Sequence, residues 1–393
     1  MSGITALGTT YNLPNYTGIL YQLTPADTPF FSAIGGLTGG GQSTSTEFEW
    51  ETFDLSNAGQ NVALEGADAP TLEGRARANV TNVCQIQQRA VGVSYTKLAA
   101  IGQKSGSNND LSNPVRNELD WQVEQSLKQS VRDIEFSFLN GVYQKPTDNT
   151  TARKTRGLLA AITTNLTANA TSTITGLSAA TDTVTETSTL LANGDKIVFT
   201  DTGASTTLVL GRVYYVVQKA TNTFKVSLTS GGSAVTIGTA TVSYRKPWTT
   251  TLAVSHINTL LQGVYDNGGI MESATATLMV NSSQKLAIST AYANAYGKFF
   301  EQSRNVGGVS MDTLVTDFGT LNVMLNRHMP QDAIAVVSME QCRPVFLEVP
   351  GKGHFFAEPL AKTGATDRVQ LYGEVGLAYG NERAHGLLTG LAV

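Results

Sequence analysis

The feature that most constrains the fold is an N-terminal segment, residues 11–36, that is rich in apolar side chains and broken by prolines. Its larger apolar residues are Tyr11, Tyr16, Ile19, Leu20, Tyr21, Phe30 and Phe31, and its prolines are Pro14, Pro25 and Pro29. Each proline removes a backbone N–H donor and pushes the preceding residue towards extended geometry, so we expect an extended arm without a helix. Because such an arm cannot bury its own rings, we expect these rings to dock on a neighbouring subunit. The candidate interface residues are Tyr11, Tyr16, Phe30 and Phe31.

The chain has 393 residues, enough to bury a substantial core, and it carries few charges. Charged residues make up 15% of it, against about 25% in typical domains. This composition favours strands, turns and surfaces that partners cover. The net charge of −4 argues against tight nucleic-acid binding, because such binding needs clustered Lys and Arg to neutralise phosphates. We therefore expect no sequence-specific contact with DNA.

The cysteines and the apolar runs bear on the compartment. Cys84 and Cys342 are too few to form a disulfide framework, which favours folding in a reducing cytoplasm. The first residues lack the basic and apolar regions of a signal peptide, so we expect none. No apolar run approaches the roughly 20 residues of a membrane-spanning helix, so we expect no membrane partner.

A long hairpin is predicted after the arm. Residues 46–53 alternate, with Phe48 and Trp50 on one face and acidic residues on the other, and residues 78–96 form a returning strand. The connection between them, residues 54–77, is polar and without periodicity, and such long connections are usually functional. A flexible surface loop is the alternative. The candidate interface residues are Leu64, Glu65 and Asp68 at the tip, and Arg75 and Arg77 at the base, which would pair with acids of a neighbour unless they are simply solvated.

One long amphipathic helix follows the hairpin. Asn113 and Pro114 supply an N-cap and a first-turn proline, which predicts a helix over 114–139 that ends at Asn140-Gly141. Its apolar residues share one face and are Leu119, Val123, Leu127, Val131, Ile134 and Phe138.

The second half of the chain divides into two patterns. Residues 166–247 are rich in Ser and Thr, with short apolar runs between turn signals, which predicts a small β sandwich or barrel. From residue 248 helices and strands alternate, which predicts an α/β layer. The helices are predicted at 249–267 and 281–296, the strands at 276–280, 313–318, 321–325 and 333–338, and the last extended runs, 370–379 and 386–393, are expected to return to the hairpin and long helix.

No motif for catalysis is present. No two of the four histidines have metal-ligand spacing, the turn at Pro350–Gly353 lacks the glycine of a phosphate-binding loop, and there is no nucleophile elbow. We therefore assign no catalytic, cofactor-binding or metal-binding residue and expect a protein that is not an enzyme.

Several short motifs in a fixed order resemble the major capsid proteins of tailed bacteriophages. They are the arm with its Thr28-Pro29-Phe30 motif, Glu65–Ala69, Val93–Thr96, Arg132–Glu135, Arg156–Leu158 and Asn381–Gly386. The β insert at 166–247 likewise resembles a small module inserted into many phage structural proteins.

The resemblance implies an α+β Hong Kong 97-type major capsid fold with an all-β insertion domain. The implied divisions are an N-terminal arm (1–42), an extended loop hairpin (43–96), a peripheral domain (97–165) that holds the spine helix (114–139), the β insertion (166–247), an axial domain (248–345) and a return to the peripheral domain (346–393). The implied assembly is a homo-oligomeric shell of hexamers and pentamers that encloses double-stranded DNA, is made in the bacterial host cytoplasm and ends in the virion. Decoration or cement, scaffold and portal proteins are the implied partners.

Two alternatives stay open at this point. One is the shell of a bacterial encapsulin-like compartment with an enzyme cargo, which has the same fold. The other is an adhesin or binding protein, suggested by the Ser- and Thr-rich strands. In capsids that crosslink covalently a lysine of the extended loop is joined to a neighbour, and no lysine occurs between Glu47 and Thr96. We therefore predict a shell without such crosslinks.

Overall fold

The structure, a computed structural model, describes most of the chain. The described residues are 27–55, 58–69, 74, 76–99, 117–169, 171–174, 176–186, 190–203, 205, 207–239, 241–270, 276–296, 301–306, 309–362 and 364–393. They fall into two compact units. The described part of the first unit is Asp27 together with the described residues of Gln87–Arg132 and Phe355–Gly373, and the second unit comprises Thr28–Ile86, Asp133–His354 and Glu374–Val393. The domain boundaries expected from the resemblance stay predictions.

The helices and strands are named in chain order. The α helices are α1 (Pro29–Ala33), α2 (Tyr95–Ala99), α3 (Glu118–Asn140), α4 (Leu158–Ala161), α5 (Val254–Asp266) and α6 (Ser282–Tyr296). The strands are β1 (Gly41–Ser43), β2 (Glu47–Thr52), β3 (Ala78–Val83), β4 (Gln85–Ser94), β5 (Leu166–Thr167), β6 (Thr171–Ile174), β7 (Gly176–Ser178), β8 (Thr183–Thr185), β9 (Lys196–Asp201), β10 (Val213–Val217), β11 (Thr223–Ser227), β12 (Val242–Arg245), β13 (Ala276–Val280), β14 (Glu301–Val306), β15 (Val309–Thr316), β16 (Gly319–Leu325), β17 (Ala333–Ser338), β18 (Arg343–Leu347), β19 (Phe355–Pro359), β20 (Thr366–Ala378) and β21 (Gly386–Thr389). Two 3₁₀ turns lie at Met339–Gln341 and Glu382–Ala384.

The first unit contains β19 and the part of β20 up to Gly373, which pair antiparallel with Phe355 opposite Gly373 and Pro359 opposite Val369. It also contains the first turns of α3, where the Asn117 side chain accepts hydrogen bonds from the N–H groups of Leu119 and Asp120, so Asn117 caps the helix. The predicted cap at Asn113-Pro114 lies outside the described residues. The helix ends at Asn140, as predicted.

In the second unit, β2 and β3 form the predicted antiparallel hairpin, with Glu47 opposite Val83 and Thr52 opposite Ala78. The alternation along β2 turns Phe48 and Trp50 to one face, where their rings stack with centroids 6.0 Å apart. The ring of Trp50 lies edge-on to Tyr379 at 4.9 Å, and its indole N–H donates to the carbonyl of Gly380. One aromatic face therefore fixes the hairpin to the body of the unit.

A seven-stranded sheet in the order β14-β15-β16-β13-β17-β21-β5 forms a second part of this unit. Strands β13 and β17 have the predicted bounds and are buried along their whole length, as expected of central strands. The amphipathic helix α5 packs its buried face, Ile257, Leu261 and Val264 among others, into the core that these strands line.

The expected course of the C-terminal segment was wrong for β21. We expected 386–393 to return to the hairpin and the long helix, whereas β21 pairs antiparallel with β17 and parallel with β5. The reason is burial, because β17 is apolar on both faces and needs a hydrogen-bonded, equally apolar strand on each side. The preceding run does return to the hairpin as expected, because β20 pairs not only with β18 and β19 but also with β4, which is part of the returning strand.

The Ser- and Thr-rich region forms a separate sheet in the order β6-β12-β9-β10-β11-β8-β7, which we call the β module (residues 171–245). Its paired strands are antiparallel. The module has a hydrophobic core of its own, in which the rings of Phe199 and Tyr214 meet edge to face at 5.4 Å. Short apolar runs therefore pair locally, as the turn spacing predicts.

Candidate functional site

The described end of the arm is held by a buried carboxylate. Glu135 on α3 is fully buried, and it accepts hydrogen bonds from the backbone N–H groups of Phe30 (3.0 Å) and Phe31 (2.6 Å). The side-chain amide of Asn326 donates to the same carboxylate. Glu135 thus satisfies two donors at the start of α1, which are among the groups that a helix leaves unpaired. It also joins three distant stretches of chain.

Two expectations for the arm were wrong. Pro29 does not prevent a helix, because it occupies the first helical position of α1, where no N–H donor is needed. The side chains of Phe30 and Phe31 are not available to dock on a neighbouring subunit, because they are 0% and 1% exposed within their own chain. The rings of Phe31 and Phe138 pack edge to face with their centroids 5.6 Å apart. The other two candidates of the arm, Tyr11 and Tyr16, lie outside the described residues.

The connection between β2 and β3 is exposed wherever it is described, and we call residues 53–77 the hairpin loop. Its apolar residues extend into solvent, with Leu64 86% exposed. Glu65 and Asp68 are exposed beside it. The exposed apolar residues of the loop are Phe53, Leu55, Val62 and Leu64. Exposed apolar residues concentrated on one projecting loop are typical of an interaction surface.

Ion pairs within the chain surround the base of the hairpin loop. Arg77 pairs with Glu51 of its own chain at 2.5 Å and remains exposed, so its pairing with an acid of a neighbour stays a prediction. Arg383 pairs with Asp54 at 2.8 Å. These pairs are solvent-exposed, so each contributes about 1 kcal/mol at most. Arg75, the other basic candidate, lies outside the described residues.

The motif Asn381–Gly386 connects the loop base to the rest of the unit. Glu382 accepts hydrogen bonds from the N–H groups of Thr163 (2.9 Å) and Thr164 (3.0 Å) and from the hydroxyl of Thr164. Burial alone would raise the pKa of Glu382, but these hydrogen bonds outweigh it and leave the pKa below its usual value. Glu382 therefore stays ionised in this setting and holds the segment before β5.

His385, in the same motif, is fully buried and neutral. Its Nε2 lies 2.8 Å from the carbonyl oxygen of Tyr379, and its Nδ1 accepts from the N–H of Ser338 at 3.2 Å. This arrangement requires the proton on Nε2. Burial lowers the pKa of His385. The imidazole links the ends of β17 and β20, so its role is in positioning strands and not in proton transfer.

A cleft of about 740 Å³ lies at the foot of the hairpin loop. Its charged and polar lining comes from both the loop base and the Asn381–Gly386 motif, and its apolar floor comes from α4 and β3. The lining includes Thr52, Phe53, Asp54, Ala76, Ala78, Val80, Arg156, Ala160, Ala161, Thr163, Tyr379, Asn381, Glu382 and Arg383. The exposed loop and this cleft form one continuous surface, and we take that surface as the candidate functional site.

The described residues show no arrangement suited to metal binding, since no group of three or more His, Cys, Asp or Glu side chains lies close enough to hold an ion. Cys84 is buried, and burial, assisted by the nearby charge of Glu374, raises its pKa to about 12, so the thiol is protonated at neutral pH.

Among the described helices, none is both long and apolar enough to cross a membrane.

The sequence reasoning missed Glu135, Glu382 and His385 as individual positions, although it singled out the two motifs that contain them. No local signal marks these three positions, because both motifs are mostly polar. Which groups these side chains satisfy depends on contacts with residues that are far away in sequence, such as the 105-residue separation of Phe30 and Glu135.

Comparisons with known proteins agree with this architecture. A family model described as SU10 major capsid protein matches residues 3–392. The capsid asymmetric unit of cyanophage A-1(L) matches with a TM-score of 0.53 at 8% sequence identity, covering 98% of this chain and 98% of that chain. A structure of Mycobacterium phage Adephagia matches with a TM-score of 0.51 at 11% sequence identity, covering 100% of this chain and 99% of that chain. No curated protein matches the chain. The structural matches confirm the predicted α+β Hong Kong 97-type fold.

Proposed function

The chain belongs to the SU10 major capsid protein family, and on that premise we propose that its copies form the icosahedral head shell of a tailed bacteriophage, in hexamers and pentamers, around a double-stranded DNA genome. The family membership confirms the predicted identity as a phage major capsid protein, whose place is the virion. We also propose that the protein is made in the cytoplasm of the bacterial host and that its role is structural, without catalysis.

The observation that carries the proposal is the exposed hairpin loop. Phe53, Leu55, Val62 and Leu64 are between 61% and 86% exposed in the single chain. Burying apolar surface contributes about 25 cal/mol per Å², so these side chains favour association with a complementary surface. A neighbouring copy of the chain supplies that surface in every position of a closed symmetric shell.

The remaining parts of the proposal concern the arm, the divisions and the partners. We assign residues 1–42 and 43–96 to contacts between subunits, 97–165 and 346–393 apart from β21 to a peripheral domain, and 248–345 with β21 to an axial domain. Glu65 and Asp68 at the loop tip, Arg75 and Arg77 at the loop base, and Tyr11 and Tyr16 of the arm stay candidate contacts of that assembly. Scaffold, portal and decoration or cement proteins are proposed partners, and DNA is enclosed without sequence-specific binding, as the net charge of −4 favours.

Two leucines of nearly equal exposure offer a matched test. Leu64 lies on the hairpin loop and is 86% exposed, whereas Leu190 lies in the β module and is 96% exposed. The full chain, Leu64→Ser and Leu190→Ser are expressed and purified in parallel, and their products are counted by negative-stain electron microscopy. We expect closed shells from the parent and from Leu190→Ser, and a large loss of shells from Leu64→Ser.

The same particles separate the alternatives. Shells that hold nucleic acid when made during infection support a phage head, whereas shells that enclose an enzyme cargo would favour an encapsulin-like compartment. A parent chain that stays monomeric at high concentration, even with scaffold and portal proteins added, would overturn the proposal that the chain forms a shell. Equal assembly of Leu64→Ser and Leu190→Ser would overturn the proposal that the hairpin loop carries contacts between subunits.

A further inference from the structure

The β module is connected to the rest of its unit by two chain crossings, one between β5 and β6 and one after β12. Two crossings alone permit a hinge, because the module folds around its own core and needs no outside contact to bury it. The contacts at its base therefore decide whether its direction is free or fixed. Three sets of contacts meet there.

The first contact is a buried ion pair. Arg245, at the end of β12, makes a two-pronged interaction with Asp332, just before β17, in which Nη2 and Oδ1 are 2.9 Å apart and Nε contacts Oδ2. The two side chains are 10% and 0% exposed. A buried pair of this kind is poor evidence for added stability, but its paired geometry permits one orientation of the two groups.

The second contact joins the turn before β10 to the residues before β17. The N–H of Val213 donates to the side-chain oxygen of Gln331 at 2.9 Å, and the N–H of Gln331 donates to the carbonyl of Gly211 at 2.8 Å. Gly211 has φ +73°, and a Cβ placed there would lie 2.8 Å from the Cα of Pro330. Only glycine therefore permits this approach of the two backbones.

The third contact ties the two crossings to each other and to the tail. The Asn169 amide donates to the carbonyl of Lys246 at 3.0 Å and accepts from the indole N–H of Trp248. The N–H of Trp248 donates to Gly390, and the N–H of Leu391 donates to the carbonyl of Asp332 at 3.0 Å. The strand exit, the tail and the ion pair thus share one set of hydrogen bonds.

We infer that Arg245 and Asp332, with Gly211 seated on Pro330-Gln331, form a clamp that fixes the direction of the β module. The module then moves as one body with the sheet that contains β13 and β17, and Arg245 is the residue that positions the module. A module held in this way presents its outer surface at the same angle in every copy of the chain. This inference does not depend on the assembly proposed above, because it concerns contacts within one chain.

Hydrogen exchange on the full-length chain tests the clamp, followed by residue-resolved mass spectrometry or NMR. The reporters are the amides of Val213, Gln331 and Leu391 at the clamp, and those of Val216 and Val226 in the module core. In the parent chain we expect clamp and core amides to be protected to a similar degree. Rapid exchange at the clamp with a protected core would show a hinge and overturn the inference.

Variants then identify the positioning residue. Arg245→Lys keeps the charge but loses the two-pronged geometry, and we expect the clamp amides to lose about tenfold protection or more while the core amides keep theirs. Lys246→Met is the matched control, since Lys246 pairs with Asp195 of the module at an exposed site, and it should leave the clamp amides unchanged. Equal protection in Arg245→Lys and Lys246→Met would overturn the role of Arg245. If Arg245→Lys fails to fold, the parent measurement still decides between clamp and hinge.

Discussion

Replacing Glu135 tests the anchor of the arm most directly. The Ala variant leaves the N–H groups of Phe30 and Phe31 and the amide of Asn326 without this acceptor in a site that excludes water. A buried polar group without a partner costs about 1–3 kcal/mol. The sum is reduced because the carboxylate no longer has to be desolvated. We therefore expect Glu135→Ala to lose about 3–5 kcal/mol of unfolding free energy, in line with breaking other buried charged contacts.

The Gln variant separates charge from shape. A glutamine side chain at this position would keep one acceptor but turn its NH₂ group towards a second N–H donor, so we expect Glu135→Gln to lose about 1–3 kcal/mol. Glu124→Gln on the same helix is the control, since Glu124 is exposed and pairs with Lys128 at 2.8 Å one turn away. Such a pair contributes about 0.3–0.5 kcal/mol, so the control should be almost unchanged.

The assay is urea unfolding of unassembled chain, followed by the fluorescence of its 3 tryptophans, with hydrogen exchange at Phe30 and Phe31 as a local readout. We expect the fall in the urea midpoint to be largest for Glu135→Ala, smaller for Glu135→Gln and almost absent for Glu124→Gln. In Glu135→Ala the amides of Phe30 and Phe31 should also lose their protection from exchange. A folded Glu135→Ala chain that loses less than about 1 kcal/mol would refute the assignment, because three unsatisfied buried donors cannot cost so little.

Three further predictions concern acid, packing and covalent linkage. Because the pKa of His385 is lowered in the fold, the unfolded chain binds the extra proton below about pH 6.5, and stability should fall by up to about 1.4 kcal/mol per pH unit there. Urea midpoints at pH 7.5 and 5.5 measure this, and a His385→Gln chain with the same pH slope would contradict it. Gly376→Ala should lose about 1–3 kcal/mol in the same assay, since its Cβ would lie 2.5 Å from the ring of Phe48, and an unchanged midpoint would show that this contact relaxes freely. Boiled particles on an SDS gel should run as one band near 41.7 kDa, whereas a ladder of larger species would indicate crosslinks that the loop has no lysine to form.

Elements with strong local patterns could be predicted from the sequence. Strands β13 and β17 have the bounds that their apolar runs predict, and the end of α3 at Asn140 follows from the adjacent glycine. In these stretches the period of the side chains and the turn residues decide the conformation, and both are local properties. The motif Asn381–Gly386 was also visible, but only as a resemblance.

The contacts that define the site depend on the tertiary structure. Phe30 and Phe31 look like docking residues in the sequence, yet a carboxylate 105 positions away draws them into their own chain. The same holds for β21, whose apolar pattern fits either sheet until β17 supplies the hydrogen-bonding edge. The clamp joins Arg245 to Asp332 across 87 positions. A local pattern states that a group must be buried or paired, whereas its partner is decided by which strands and helices come together in space, because burial and hydrogen bonding act between neighbours in the fold and not along the chain.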